Sequence, residues 1–144
     1  MYPRILVATD GSDCSNAAVA EGVRLAKELG SRVTFLHVID VTRFAGDAAF
    51  DVDRAMRDLQ RSADDVLSRA KAIAETACVP CEAKTTEGLP GQEIARESLA
   101  RDLIVVGGHG RGVLAQLVLG SVTQAVLHHA KRPVLVVTPA AKTA

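Results

Sequence analysis

The sequence predicts an α/β protein: an open, Rossmann-like five-stranded parallel sheet with helices on both faces. Three observations lead there. Short runs rich in β-branched residues alternate with longer runs of helical periodicity, the pattern of βαβ units. Runs such as Leu103-Ile104-Val105-Val106 are apolar throughout rather than alternating, as strands covered on both faces are. Glycines follow the first and fourth of these runs closely, at Gly11 and Gly107.

Taken in order, Arg4 to Thr9 reads as the first strand, and a helical run from about Cys14 stops at Gly30, a residue suited to a left-handed helix end. Arg32 to Val38 is the second strand. From Asp51 to Ala77, apolar residues from Val52 through Ala55, Met56, Leu59, Ala63, Val66, Leu67 and Ala70 to Ile73 and Ala74 keep steps of three and four. That puts them on one face of a long helix, with Met56 a packing residue and Asp51 and Asp53 complementing the dipole at its start. Cys81 to Thr86 is the third strand, and Gly88-Leu89-Pro90 leads into a helix whose first turn tolerates proline. Leu103 to Val106 is the fourth strand. Ser121-Val122-Thr123-Gln124 has the pattern of a capping box, with Ser121 as N-cap of a helix that runs to the basic pair Lys131 and Arg132. Pro133 then stops the helix before a fifth strand, Val134-Leu135-Val136-Val137. Val41 to Phe50 reads as a loop beside the site, and Ala140 to Ala144 as a frayed tail.

At 144 residues the chain is expected to form a single domain, residues 1–144, that buries its core without disulfides or a structural metal. Seventeen basic and seventeen acidic residues cancel, leaving no general field to hold nucleic acid or an anionic membrane. No run approaches the roughly twenty apolar residues of a membrane span, and no apolar leader precedes the first strand, so a soluble, cytoplasmic protein is expected. The three cysteines are an odd count. Cys78 and Cys81 have redox or zinc-half-site spacing. They follow a helix instead of opening one, and no second such pair exists, so a helix-to-strand turn is the better reading. Cys14 reads as a small packing residue.

The segment richest in chemistry is Gly107-Gly108-His109-Gly110-Arg111, followed by Gly120-Ser121-Val122. Glycines at the end of a buried strand permit positive φ and let a ligand approach backbone amides, while a helix opening at Ser121 adds free amides and a dipole. Both favour a phosphate. The alternative is a plain turn and helix cap. Asp10, at the end of the first strand, suits ribose hydroxyls or an adenine amino group, or else an Asx turn or helix N-cap. His128 and His129 are adjacent, so they do not share the helix face a two-histidine metal site needs.

The spacing Gly107-x2-Gly110-x9-Gly120-Ser121 resembles the nucleotide-binding signature of the universal stress protein family, in its ATP-binding branch. The resemblance spans the chain. It includes Arg4-Ile5-Leu6-Val7-Ala8-Thr9-Asp10-Gly11-Ser12, Leu36-His37-Val38-Ile39-Asp40 and the closing Arg132-Pro133-Val134-Leu135-Val136-Val137. Gly108 stands where many members have Ser or Thr, and Ala8 where some have Pro. The resemblance implies strand order 3-2-1-4-5, which makes the first and fourth strands neighbours at the reversal of winding, where ligands bind. It also implies an ATP site, with AMP or ADP as alternatives. Ala8, Thr9 and Asp10 would form one side of it and Val38 would lie against the adenine through its backbone. Val106 and Gly107 would belong to the site, and the phosphates would lie along the amides of Gly110, Gly120, Ser121 and Val122, with Ser121 reaching an oxygen or its Mg²⁺ ion. His109 would lie inside the cradle, and Arg111 would either add a charged contact or stand as a solvated surface residue. A homodimer through the fifth strand, Val134 to Val137, is implied as well, and an apolar edge strand independently invites such pairing. No Gly-x4-Gly-Lys-Ser/Thr loop and no evident base accompany the cradle, so the expected role is a nucleotide-dependent stress-response or regulatory protein read by an unidentified partner. A slow Mg-dependent ATP hydrolase is the alternative.

Overall fold

The computed structural model describes residues 1–44, 51–108 and 119–139. Strands β1 (Arg4–Ala8), β2 (Arg32–Ile39), β3 (Cys81–Glu87), β4 (Leu103–Gly107) and β5 (Val134–Val137) form one sheet in the order β3-β2-β1-β4-β5. Every neighbouring pair is parallel. Helices α1 (Asp13–Leu29), α2 (Val52–Thr76), α3 (Pro90–Glu97) and α4 (Ser121–His129) make the crossovers. After β1 the chain winds outward to β2 and β3, then returns to β1's other side for β4 and β5. The fold class and strand order are those the sequence and its resemblance predict.

Strand alternation divides the core. Ile5, Val7, Val33, Phe35, Leu103 and Val105 face α1 and α2, where Val19, Val23, Leu67 and Ala70 meet them. Leu6, Leu36, Ile104 and Val106 point the opposite way, onto Ile94 of α3 and Val126 of α4. A continuous apolar run in the sequence therefore feeds two separate cores.

Helix ends follow local chemistry at three places. Ser12 caps α1, its side chain accepting from the Ser15 amide, and Gly30 stops it at φ 67°. Asp51 caps α2 by accepting from the Arg54 amide at 3.1 Å. Pro90 occupies the first turn of α3.

At α4 the expectation is corrected. Gly120 is the N-cap, at φ −60° and ψ 158°, and Ser121 is already helical. The Gln124 side chain donates to the Leu119 carbonyl at 2.8 Å instead of reaching back to a capping serine. The helix also ends two residues before Lys131, at His129.

The apolar stripe of α2 is buried only along its second half. Ala63, Leu67, Ala70 and Ala74 are buried, while Val52 and Ile73 are 47% and 44% exposed and Met56 is half-buried. Length explains the overhang at the helix start. Twenty-five helical residues span about 37 Å, whereas the eight residues of β2 span about 27 Å. The first turns of α2 thus project past the carboxyl edge of the sheet.

Candidate functional site

Those carboxyl ends enclose a crevice of about 470 Å³ at the reversal of winding between β1 and β4. The volume lies within the range of small-molecule pockets, roughly 300–1,000 Å³. Of the residues predicted for the site, it brings together Ala8, Thr9 and Asp10 from β1 and its turn, Val38 from β2, Val106 and Gly107 from β4, and Gly120, Ser121 and Val122 from the start of α4. His109, Gly110 and Arg111 lie outside the described residues, as do positions 45–50 of the loop and the tail from Ala140.

The β1 side is internally bonded. Thr9 continues the ladder past the end of the strand, its amide donating to the Leu36 carbonyl at 2.9 Å. The buried Thr9 and Ser15 hydroxyls lie 3.2 Å apart, and Ser15 Oγ also accepts from the Asp10 amide at 3.2 Å and donates to the Ser12 carbonyl at 3.1 Å. Asp10 Oδ1 accepts from the Ser12 amide at 2.9 Å, closing an Asx turn. Burial opposes ionisation of this carboxyl, but hydrogen bonds, those from Ser12 foremost, outweigh it and hold it below the usual aspartate range. Asp10 therefore presents a charged acceptor to the crevice while its turn-forming role is also met.

The β4 side differs. Thr123 Oγ1 donates to the Gly107 carbonyl at 2.9 Å, tying α4 to the end of β4. No side chain caps α4, so among the described residues the first-turn amides of Ser121 and Val122 have no acceptor. A helix start with unpaired amides and a positive dipole end binds anions.

Gly107 has a role the sequence did not reveal. It is not at positive φ, and neither is Gly108. A Cβ on Gly107 would lie 2.4 Å from the carbonyl oxygen of Cys14, in the first turn of α1. The glycine is there to let helix backbone pack on the strand end. Positive φ belongs to Gly11, at 82°, in the turn after β1.

Several lining residues escaped sequence reasoning. His37, Asp40, Leu59, Ser62, Pro90 and Ile94 all border the crevice. Leu59 and Ser62 arrive through the overhang of α2, and Pro90 and Ile94 come from the opposite face of the sheet, so the crevice straddles its edge. Only the length mismatch of α2 and β2 was available to signal the first pair. Cys14 packs as expected and also lines the crevice.

The Cys78 and Cys81 spacing falls in the turn between α2 and β3, with both thiols free. Cys78 stands at φ 57°, and the Val79 amide bonds back to the Ala74 carbonyl at 2.9 Å. Burial, with the charge of Glu75, pushes the Cys81 thiol up against the opposing pull of Lys71, away from the reactive thiolate. His128 and His129 meet edge to face at the end of α4, 4.9 Å between ring centres.

An all-parallel open sheet with its crevice at the winding reversal defines an α/β protein of the doubly wound class, in which ligands bind outside the carboxyl ends of the strands. The universal stress protein family model matches residues 1–138, and the chain belongs to that family. A universal stress protein of Methanocaldococcus jannaschii is 35% identical over 140 residues, covering 95% of this chain and 82% of the relative. One from Thermus aquaticus is 35% identical over 140 residues, covering 95% and 99%. Among solved structures, a universal stress protein in complex with cAMP is similar with a TM-score of 0.72 at 25% identity, over 95% of this chain and 97% of that one. A family member from Burkholderia pseudomallei gives 0.79 at 25% identity, over 94% and 96%. Among the described residues, no helix is long and apolar enough to cross a membrane.

Proposed function

We propose that this protein binds an adenine nucleotide, with ATP as the working ligand, in the crevice between the ends of β1 and β4, and that partners read its nucleotide state. The observation that carries this reading is the start of α4, with no side-chain cap among the described residues, opening into a pocket-sized crevice opposite Asp10. Phosphate oxygens accept from the amides of Ser121 and Val122, with His109, Gly110 and Arg111 completing the phosphate side. Asp10 accepts from ribose hydroxyls, and the base lies over Val38. Ala8, Thr9, Val106, Gly107 and Gly120 supply backbone walls. The related protein in complex with cAMP supports a nucleotide of this base class.

Among the described residues, no three or more His, Cys, Asp or Glu side chains gather into a metal cage. Mg²⁺ would enter on the phosphates, keep most of its waters and take the Ser121 hydroxyl as a protein ligand. The same reading makes β5 a dimer seam. It is a sheet edge of four apolar residues, each only half-buried, whereas the opposite edge, β3, carries Glu82, Lys84 and Glu87.

The test is the nucleotide content of freshly purified protein, followed by ATP titration of wild type, Gly110→Ala, Gly120→Ala and Asp10→Ala with Mg²⁺. Near-stoichiometric adenine nucleotide, or micromolar binding weakened at least about tenfold in the variants, is expected. Wild type that carries and binds none would overturn the reading. Sedimentation at micromolar concentration checks the dimer, and a monomer mass would remove it.

A further inference from the structure

Among the described residues lining the crevice, His37 is the one imidazole, and its hydrogen bonding fixes what it can offer. Its Nδ1 lies 2.9 Å from the carbonyl oxygen of Thr9, across the strand boundary from β2 to the tip of β1. A carbonyl only accepts, so Nδ1 carries the hydrogen and donates it. In the neutral ring Nε2 is then a bare acceptor. Nothing among the described residues bonds to Nε2. The single buried side-chain atom left without a partner there is Thr86 Oγ1, so among the described residues Nε2 is neither bonded nor buried, and the ring borders the crevice.

Its place in the sheet says which part of a ligand it meets. Order β2-β1-β4 puts β2 two strands from the β4 side, about 10 Å across the sheet. With phosphates on the α4 amides and ribose over Asp10 at β1, the moiety over β2 is the base. This rests on the nucleotide reading above.

We propose that His37 Nε2 is a specificity-determining acceptor that takes a hydrogen bond from the exocyclic amino group of the base. Adenine presents N–H donors at that position. Hypoxanthine and guanine present a carbonyl oxygen, which would set two acceptors against each other and leave both unsatisfied. The Thr9 carbonyl holds the ring before ligand arrives, so the acceptor is pre-organised and little side-chain entropy is lost on binding. The bond also ties the β2 wall to the strand tip that delivers Asp10.

The experiment titrates wild type, His37→Phe and His37→Gln with ATP and with ITP, which differ at this group. Wild type is expected to favour ATP roughly tenfold, and His37→Phe to bring the ratio toward one. His37→Gln does the same, because its amide rotates to offer either donor or acceptor. If His37→Phe weakens both nucleotides equally and keeps the ratio, the residue only supports the wall and the proposal is overturned. Wild type that prefers ATP over ITP by no margin overturns it too, while the nucleotide reading stands. Binding of neither nucleotide removes that reading and this one with it. Nitrogen-15 NMR of wild type gives a check independent of variant folding. His37 should show the Nδ1-protonated tautomer when free, with an Nε2 shift on adding ATP and not ITP. An Nε2-protonated ring in the free protein would defeat the proposal.

Discussion

The turn after β1 and the entry to α4 face each other across the crevice, yet among the described residues one is saturated with internal hydrogen bonds and the other holds few. On the β1 side, Thr9, Asp10, Ser12 and Ser15 satisfy one another, and Ser12 caps its helix. On the α4 side, the cap is a glycine, and Thr123 and Gln124 fasten the backbone from the flanks without touching the first-turn amides. A lip that satisfies itself keeps its shape without ligand, whereas a lip with spare donors gains most when an anion arrives. Rigidity and affinity are thus divided between the two sides.

Substitutions can break this division, and the largest effect is expected where the two lips touch. Gly107→Ala places a Cβ against the Cys14 carbonyl, which is backbone and has little freedom to retreat. It should lower unfolding free energy by roughly 3 kcal/mol in urea denaturation. Loss of binding with unchanged stability would instead show that this glycine serves ligand clearance.

Ser15→Ala removes the hub of the β1 lip, taking the Ser15 partner from the buried Thr9 hydroxyl and the acceptor from the Asp10 amide, at a cost of about 2 kcal/mol in the same assay. Thr123→Val leaves the Gly107 carbonyl without its donor, at a cost of about 1 kcal/mol. If the two costs were reversed, the α4 side would be the rigid one.

Asp10→Asn keeps the side-chain oxygen for the Asx turn but removes the charge. It should change unfolding little and weaken ATP roughly tenfold, about 1.4 kcal/mol, by calorimetric titration. The pH dependence has a fixed sign. Because the folded state holds this carboxyl below its ordinary value of 3.8, its stabilising bonds are fully present above that range and are lost as pH falls through the lower folded value. A carboxyl titration by NMR with a midpoint above the ordinary value would contradict the hydrogen-bond account of the β1 lip.

The smallest effect lies outside both lips. Cys78→Gly relieves a left-handed backbone at φ 57° and should raise stability by up to about 1 kcal/mol, with ATP affinity unchanged. A change in affinity would link the cysteine turn to the crevice after all.

The elements were legible in sequence because each carries its own local signal. Gly30 ends α1, Asp51 starts α2 and Pro90 enters α3 through side-chain and backbone chemistry that acts within a few residues. Ser121 misled for the same reason. A hydroxyl three residues before Gln124 fits a capping box, but the Leu119 carbonyl offers the Gln124 amide a partner, and the cap shifts to Gly120. The predicted site residues within the described chain do share one crevice. His37, Leu59 and Ser62 were invisible as neighbours because nothing local to them records what stands across the gap.

By itself the sequence determined the alternation of strands and helices, the apolar strands with their glycine turns, and the signature that places the chain in its family, all written in residues within a few turns of one another. Tertiary structure alone decided that Gly107 yields to the backbone of α1, that α2 overhangs the crevice, and that His37 donates to Thr9 and leaves its other nitrogen without a partner among the described residues. Close approach, length mismatch and ring orientation depend on distances between segments far apart in the chain, and those exist only once the sheet has brought the segments together.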